Sequence, residues 1–320
     1  METVNSSASW DVIVIGGGAA GLSAALLLGR ARRRTLVIDA GSPRNRFAAH
    51  MHGVLGNEGA SPSGLLRRGR EEVAGYGVET RDGAVAGVRD EGDVLVVAVD
   101  GAEERTRALV VASGIDDDLP AVAGLAERWG TSVLHCPYCH GWEVRDRRLA
   151  VLATSPASLH QAKMVRQWSD DVVLFSAGLG GLDPSDERLL RARGIEIVAS
   201  PAVEVLGEGT TVSAIRTADG AEIPVDAVFT GGRPVPHDGF LDDLRLARAD
   251  LPSGLGSFVQ ADATGRTSHP RIWAAGNVVN PMATVPMAIG AGAMAGAGVN
   301  GTLVEEDFRL VAGALSPAAR

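Results

Sequence analysis

The chain contains two cysteines, Cys136 and Cys139, and only two residues separate them. Thiols at this spacing can close a small disulfide ring, and a helix that begins there stabilises the thiolate needed for disulfide exchange. A zinc site is disfavoured because its other ligands, His135 and His140, would crowd one short loop. A purely structural disulfide is disfavoured because so short a loop removes little entropy from the unfolded chain. The pair therefore predicts redox chemistry and no metal site.

A strand, a glycine-rich turn and a helix follow one another near the start of the sequence. The apolar run Asp11–Ile15 leads into Gly16, Gly18 and Gly21, a spacing typical of a dinucleotide-binding turn. In that motif the first glycine makes the tight turn, the second admits a pyrophosphate, and the third lets helix and strand pack closely. A second apolar run ends in Asp39, at the position from which an acid binds ribose hydroxyls. These features predict a bound dinucleotide.

The segment after the cysteines repeats this plan of strand, turn, helix and strand with a different turn. Where a second nucleotide site would place three glycines, the chain has Ala153, Ser155 and Ser158. The next strand runs into Ser176 and Ala177, with neither an acid for a ribose nor an arginine pair for a 2′-phosphate. Two interpretations stay open: the small residues tolerate a nicotinamide cofactor, or the domain keeps its fold without that ligand. We favour the second, which makes NADPH a doubtful cofactor.

The 320-residue length and the order of apolar runs predict an α/β protein with two Rossmann-like domains, each a doubly wound, three-layer sheet. Short β-like runs at residues 78–99 predict a small antiparallel layer. A buried strand that ends in Gly114 and a linker at residues 116–120 close the first part of the first domain. A strand over Pro270–Asn277 and a Gly- and Ala-rich helix over Pro286–Leu303 return to that domain.

Composition excludes several classes of function. The net charge of −9 argues against a nucleic-acid surface, which needs a concentrated basic face. Residues 1–10 have neither the basic start nor the apolar core of a signal peptide. The most apolar stretch, Val285–Val299, is shorter than a membrane span. With two cysteines and no visible export signal, we expect a cytoplasmic protein without a membrane partner.

Several ring side chains could serve the chemistry, and their roles stay open. A polar loop carries His50 and His52, which could assist proton transfer or be ordinary polar residues. Trp129, Tyr138 and Trp142 are candidates for lining a substrate pocket, although core packing explains each of them equally well.

Taken together, the Gly16 to Gly21 turn, the cysteine pair and the late segment Ala274–Asn277 resemble the low-molecular-weight thioredoxin reductase family, over almost the whole chain. The resemblance implies an FAD domain, residues 1–117 and 245–320, interrupted by a smaller nicotinamide-domain-like insertion, residues 118–244, that carries the cysteines. It also implies a homodimer. The FAD-binding positions that it implies are Gly16, Gly18, Ala19, Ala20, Gly21, Asp39, Ala40, Gly114, Gly276, Asn277 and Val285.

The resemblance also implies roles for the catalytic residues. Cys139 is expected to be the thiol nearest the flavin, and Cys136 the thiol that exchanges with substrate. His140 stands where the reductases have an acid that donates and accepts protons, and a histidine does the same work near neutral pH. Asn277 stands where the reductases have an aspartate that contacts the FAD ribityl chain. It loses the charge but keeps a hydrogen-bonding group, so we expect FAD binding to survive.

The Cys139-His140-Gly141 sequence, followed by Trp142 and Glu143, is more similar to the branch that contains the gliotoxin and holomycin dithiol oxidases of antibiotic biosynthesis. Those enzymes close disulfides in small natural products and pass the electrons to oxygen. The resemblance thus implies a small dithiol and O2 as substrates and hydrogen peroxide as a product. The alternatives are a thioredoxin reductase-like enzyme fed by NADPH or ferredoxin, and a redox-responsive binding protein.

Overall fold

The computed structural model describes residues 9–250 and 256–315. Most of the N-terminal segment used to judge a signal peptide lies outside these residues. The first part of the chain forms β1 (Trp10–Ile15), α1 (Ala19–Arg30), β2 (Thr35–Asp39), α2 (Pro62–Ala74), β3 (Glu79–Asp82), β4 (Val85–Asp90), β5 (Leu95–Val99), β6 (Ala102–Val111) and β7 (Ile115–Asp118). The middle forms β8 (Val133–Leu134), α3 (Pro137–His140), β9 (Leu149–Leu152), α4 (Ala157–Val165), β10 (Val172–Phe175), α5 (Pro184–Ala192), β11 (Ile195–Val198), β12 (Ala202–Leu206), β13 (Ala214–Thr217), β14 (Glu222–Pro224), β15 (Ala227–Phe229) and β16 (Arg233–Pro236). The last part forms β17 (Arg248–Asp250), β18 (Ser257–Val259), β19 (Ile272–Ala274) and α6 (Val285–Leu315).

The first sheet has the strand order β3-β2-β1-β6-β5-β4, and β19 also pairs with β6. β1 is parallel to both of its neighbours, and Val12, Ile13 and Val14 are fully buried. A strand covered on both faces is continuously apolar, which is the pattern of the sequence there. The predicted antiparallel layer over residues 78–99 is confirmed for β4 and β5, which extend this sheet beyond β6, whereas β3 pairs in parallel with β2 at the opposite edge. Because the chain order reverses at β1, the carboxyl end of β1 opens into the crevice where such folds bind ligands.

The second sheet has the order β11-β10-β9-β15-β8, and all of its strands are parallel. Strands β12 to β14 form a separate antiparallel sheet. The antiparallel pair β7 and β16 carries the chain into and out of this second domain. Leu241, in the segment after β16, packs in the hydrophobic cluster around the first sheet. The predicted α/β class with two Rossmann-like domains is confirmed.

Helix α6 extends well beyond the predicted segment 286–303. By length and composition alone it is long enough to cross a membrane, so the expectation that this stretch is too short was wrong. Its close backbone contact with α1 is as expected, because a Cβ atom on Gly292 would overlap the carbonyl oxygen of Ala20. One face of the helix therefore packs against α1, and about 33% of its most apolar window is buried.

We expect Gly292→Ala to destabilise the protein, because the new methyl group must push α6 away from the Ala20 carbonyl group. An extra methyl in a close-packed contact typically costs about 1–3 kcal/mol. The midpoint of urea unfolding, followed by circular dichroism, measures the effect. The control is Gly301→Ala on the same helix, where a Cβ atom meets open space and alanine should add up to about 1 kcal/mol. Equal midpoints in the two variants would contradict the proposed contact.

Candidate active site

A cavity of about 2190 Å³ extends between the two domains. It is lined by the glycine turn of the first domain, by the cysteine pair and by the turn between β9 and α4. Cys136, Cys139 and His140 all belong to the lining. Every FAD position expected from the sequence also lines it, except Gly21. The structure therefore brings the expected catalytic and cofactor positions into one space.

The glycine turn between β1 and α1 is tightly packed at two positions and open at a third. Gly16 has a φ of 105°, and a Cβ atom there would overlap the carbonyl oxygen of Ala112. A Cβ atom on Gly21 would overlap the carbonyl oxygen of Gly16, because helix and turn touch there. Gly18 faces open space, and no side chain caps the start of α1. A pyrophosphate fits this space beside the first N–H groups of the helix.

Asp39 lies at the carboxyl end of β2 and lines the cavity. Arg70 of α2 forms an ion pair with its Oδ2 atom, and the N–H group of Gly41 donates to Oδ1 at 3.2 Å. The carboxylate is thus fixed at the edge of the space that the turn leaves open. Arg70 also lines the cavity, and sequence reasoning missed it because no pattern within α2 shows which distant strand it meets.

Gly276 and Asn277 bring the end of β19 into the site. Gly276 has a φ of 79°, and a Cβ atom there would lie 2.9 Å from the Cβ atom of Ala20. The Nδ2 group of Asn277 donates to the carbonyl oxygens of Asn280 at 3.1 Å and Ala283 at 3.0 Å. Asn277 therefore holds the loop that leads into α6, a structural role that an aspartate, which has no N–H donor, cannot fill.

The two cysteines lie at the start of α3, which is a single helical turn. Their sulfur atoms form a disulfide, with the Cα atoms 5.2 Å apart. Cys136 is the N-cap residue, and its sulfur accepts a hydrogen bond from the N–H group of Cys139 at 3.2 Å. The sequence predicted that a helix N-terminus would stabilise the cysteine thiolate. Because α3 has only four residues, this local hydrogen bond is the part of that stabilisation that remains.

His140 follows Cys139 directly and is partly buried. Burial lowers the pKa of His140 from its ordinary value, and the Glu143 carboxylate offsets part of that effect. The positive charges of His52 and His135, when these rings are protonated, lower the pKa of His140 further. The imidazole is therefore neutral near pH 7 and able to accept a proton from a neighbouring thiol.

The turn between β9 and α4 differs from the glycine turn of the first domain in its hydrogen bonds. The Oγ atom of Ser158 accepts the N–H groups of Thr154 at 3.0 Å and of Ser155 at 3.4 Å. Pro156, the N-cap residue of α4, has no N–H group. A Cβ atom on Gly178, just after β10, would overlap the carbonyl oxygen at the start of the turn. Two N–H groups of this turn are thus already engaged by a side chain of the chain itself.

An arginine of the first domain is bound to the strand that leads into the second. The Nε and Nη2 groups of Arg44 donate to the two carboxylate oxygens of Asp117 in β7, each at 2.7 Å. Its Nη1 group donates to the carbonyl oxygen of Pro281 at 2.6 Å. Nearby on the same loop, Phe47 packs against Gly130 of the second domain. A bidentate pair of this kind fixes the relative orientation of the two side chains and also pairs their charges.

The aromatic candidates divide into two groups. Trp129 and Tyr138 belong to the lining of the cavity, as expected for residues that contact a substrate. Trp142 does not belong to it, and its exposed ring stacks instead on the guanidinium group of Arg145 at 4.0 Å. In the described part of the chain, no group of three or more His, Cys, Asp or Glu side chains is placed to hold a metal ion.

The profile of the family described as pyridine nucleotide-disulphide oxidoreductase matches residues 10–292. The chain belongs to this family. Thioredoxin reductase tcpT of Claviceps purpurea (strain 20.1) is 29% identical over 308 residues, which are 89% of this chain and 92% of that protein. Thioredoxin reductase sirT of Leptosphaeria maculans is 28% identical over 309 residues, 91% and 93% of the two chains. The crystal structure of HlmI is similar with a TM-score of 0.90 at 43% identity, over 95% of this chain and 96% of that one.

As a pyridine nucleotide-disulphide oxidoreductase, the protein is a flavin-dependent enzyme that acts on disulfides. The predicted thioredoxin reductase-like family and FAD cofactor are confirmed. FAD also fits the geometry, because Gly18 leaves room for a pyrophosphate and Asp39 lies at the end of the next strand. Thioredoxin reductase-like members of the family usually bind NADPH. The comparisons therefore do not support the prediction that NADPH is a doubtful cofactor.

Asp39→Ala should weaken FAD binding, because it removes the carboxylate that the motif places against the ribose hydroxyls. Loss of a charge-assisted hydrogen bond costs about 1.5–3 kcal/mol, or roughly a 10- to 150-fold rise in Kd. Fluorescence titration of the apoprotein with FAD measures this value. Asp93→Ala is the control, because Asp93 is a fully exposed carboxylate outside the lining of the cavity. The same Kd in both variants would show that Asp39 does not bind the cofactor.

Proposed function

We propose that the protein is an FAD-dependent dithiol oxidase that forms an intramolecular disulfide in a small-molecule dithiol. Oxygen is the electron acceptor, and hydrogen peroxide is the second product. The observation that carries the proposal is the turn between β9 and α4, where Ser158 engages the N–H groups that a nicotinamide dinucleotide would need. If the enzyme draws no hydride from a nicotinamide, a dithiol substrate can supply the electrons through the cysteine pair, which favours the oxidase direction.

Two further observations support this direction. After β10 the chain continues through Ser176 and Ala177, which offer no charged group to a ribose or a 2′-phosphate. The cavity that contains the disulfide is also lined by Trp129, Tyr138 and Met164. A concave site with apolar walls and a few polar groups suits a small organic substrate.

The chain's own residues account for the exchange with substrate. A substrate thiolate attacks the Cys136 sulfur, so that a mixed disulfide forms and the bond to Cys139 breaks. His140 accepts the proton of the attacking thiol and returns it to the Cys139 thiolate. The second substrate thiolate then attacks the substrate sulfur of the mixed disulfide, which closes the product ring and releases Cys136. FAD, when bound beside Gly18 and Asp39, would supply the acceptor for the two electrons of the cysteine pair and the chemistry that reduces O2.

A second candidate is a disulfide reductase that works in the opposite direction. It is favoured by the names of tcpT and sirT, which are both called thioredoxin reductases. NADPH, or another donor such as ferredoxin, would then supply the electrons, and the residues of the β9 to α4 turn would have to be compatible with the donor. In either case we propose a homodimer, which the family resemblance implies, and a cytoplasmic location.

An anaerobic titration of the purified holoenzyme distinguishes the two candidates. We expect one equivalent of dithiothreitol to bleach the flavin absorbance, and NADPH and NADH to leave it unchanged. Dithionite gives the fully reduced reference, and admission of O2 to the dithiol-reduced enzyme should restore the absorbance and yield hydrogen peroxide. Stoichiometric bleaching by NADPH would overturn the oxidase proposal in favour of the reductase.

Cys139→Ser should abolish turnover and leave the flavin bound, because it removes the thiol proposed to deliver the electrons. We expect dithiol-dependent oxygen consumption to fall by at least about 10³-fold, with an unchanged ratio of flavin to protein absorbance. Ser155→Ala is the control in the same cavity, and it should keep the oxidase activity because its turn is proposed to bind no cofactor. Normal dithiol oxidation by the Cys139→Ser variant would refute the assignment.

A further inference from the structure

A histidine and a glutamate meet across the boundary between the two domains, and the glutamate lies four residues after Cys139 in the sequence. His52 belongs to the loop between β2 and α2 of the first domain, and Glu143 follows α3 of the second. The Nε2 atom of His52 lies 3.5 Å from the Oε1 atom of Glu143. The thiol exchange described above makes no use of either residue. Their contact nevertheless connects the flavin domain to the segment that carries Cys139 and His140.

The His52 ring is held in place from its other side. Its Nδ1 atom lies 2.6 Å from the Oε1 atom of Glu58, and the Oε2 atom of Glu58 accepts the N–H group of Gly53 at 2.8 Å. The hydrogen bond with His52 and the one with Gly53 lower the pKa of Glu58, so this carboxylate stays charged. A ring with a carboxylate at each nitrogen has one preferred orientation, with Nε2 directed at Glu143.

The same two residues act in opposite directions on His140. Burial is the main cause of its lowered pKa; the Glu143 carboxylate raises the pKa, and the charge of His52 lowers it. A positive charge on His135 also lowers the pKa of His140. His52 and Glu143 are thus in contact with each other, and each of them, when charged, acts on the ring that follows Cys139.

We propose that His52 and Glu143 are a pair of positioning residues, held by Glu58, that join the two domains and control when His140 holds a proton. This inference rests on the proposed role of His140 as the proton carrier in thiol exchange. The net reaction needs no proton outlet, because the two hydrogens of the dithiol end in hydrogen peroxide. His140 has only to bind a proton in one step and release it in the next, so its protonation equilibrium governs the exchange.

The test compares the pH dependence of dithiothreitol oxidation by the holoenzyme and by two variants. Activity requires neutral His140, so it is lost as the pH falls through the pKa of that ring. Glu143→Gln removes a charge that raises this pKa, and the acid limb of kcat/KM should move to lower pH. His52→Gln removes a charge that lowers the pKa and releases Glu143 from its partner, so the limb should move to higher pH.

His50→Gln is the matched control. His50 lies on the same loop, is exposed, and bonds only to the carbonyl oxygen of Gly59 among the contacts of the described residues. Its variant should keep the profile of the unaltered protein, and Glu143→Asp, which retains the charge, should bring the limb back toward that profile. Flavin content and circular dichroism first establish that both variants are folded. The inference is overturned if the acid limb of kcat/KM moves in the same direction in Glu143→Gln and His52→Gln, or if it moves in neither.

A second measurement separates this inference from the proposed function. The cysteine pair is reduced with a phosphine, and the rate of alkylation by iodoacetamide is followed against pH without any turnover. His140 should give an inflection in this profile, because a charged imidazole stabilises the neighbouring thiolate. If the inflection moves in opposite directions in Glu143→Gln and His52→Gln, the proposed control of His140 by these two residues is supported, even if the enzyme oxidises no dithiol. Coincident alkylation profiles would overturn the inference even in an active oxidase.

Discussion

Direct contact between backbone atoms, with no side chain between them, holds the flavin domain together at the point where it binds its cofactor. Gly16 touches the segment after β6, Gly21 touches Gly16, and Gly292 of α6 touches Ala20 of α1. These contacts fix the start of α1 against the end of β1. Because Gly18 is left open in the same turn, the packing that stabilises the domain also shapes the space for the pyrophosphate.

The second domain repeats the arrangement of three neighbouring parallel strands around its first turn, and that turn differs from the turn at Gly18 in its hydrogen bonds. Ser158 takes up the N–H groups of the turn, and the backbone at Gly178 lies against its first carbonyl group. Two N–H groups of this turn thereby have a hydrogen-bond partner within the domain itself. What the domain contributes to the site is the cysteine pair and His140, presented to the cavity by the one-turn helix α3.

Local patterns predicted the parts of the molecule that depend on neighbours in sequence. The apolar run of β1, the glycine spacing, the end of β2 at Asp39 and the cysteine pair are all of this kind, and the two-domain α/β fold followed from them. The ion pair of Arg70 with Asp39 and that of His52 with Glu143 join segments far apart in sequence, and no periodicity encodes them. The length of α6 was underestimated because its Gly and Ala residues have weak helical patterns, and only packing against α1 shows why they are there.

The bidentate pair of Arg44 with Asp117 has a kinetic consequence. Arg44 also donates to the Pro281 carbonyl group, so one side chain holds the strand that enters the second domain and the loop that precedes α6. A rotation of the second domain that displaces β7 must first break this partly buried charge pair, which adds to the activation barrier of such a movement. The pair therefore favours a single domain arrangement.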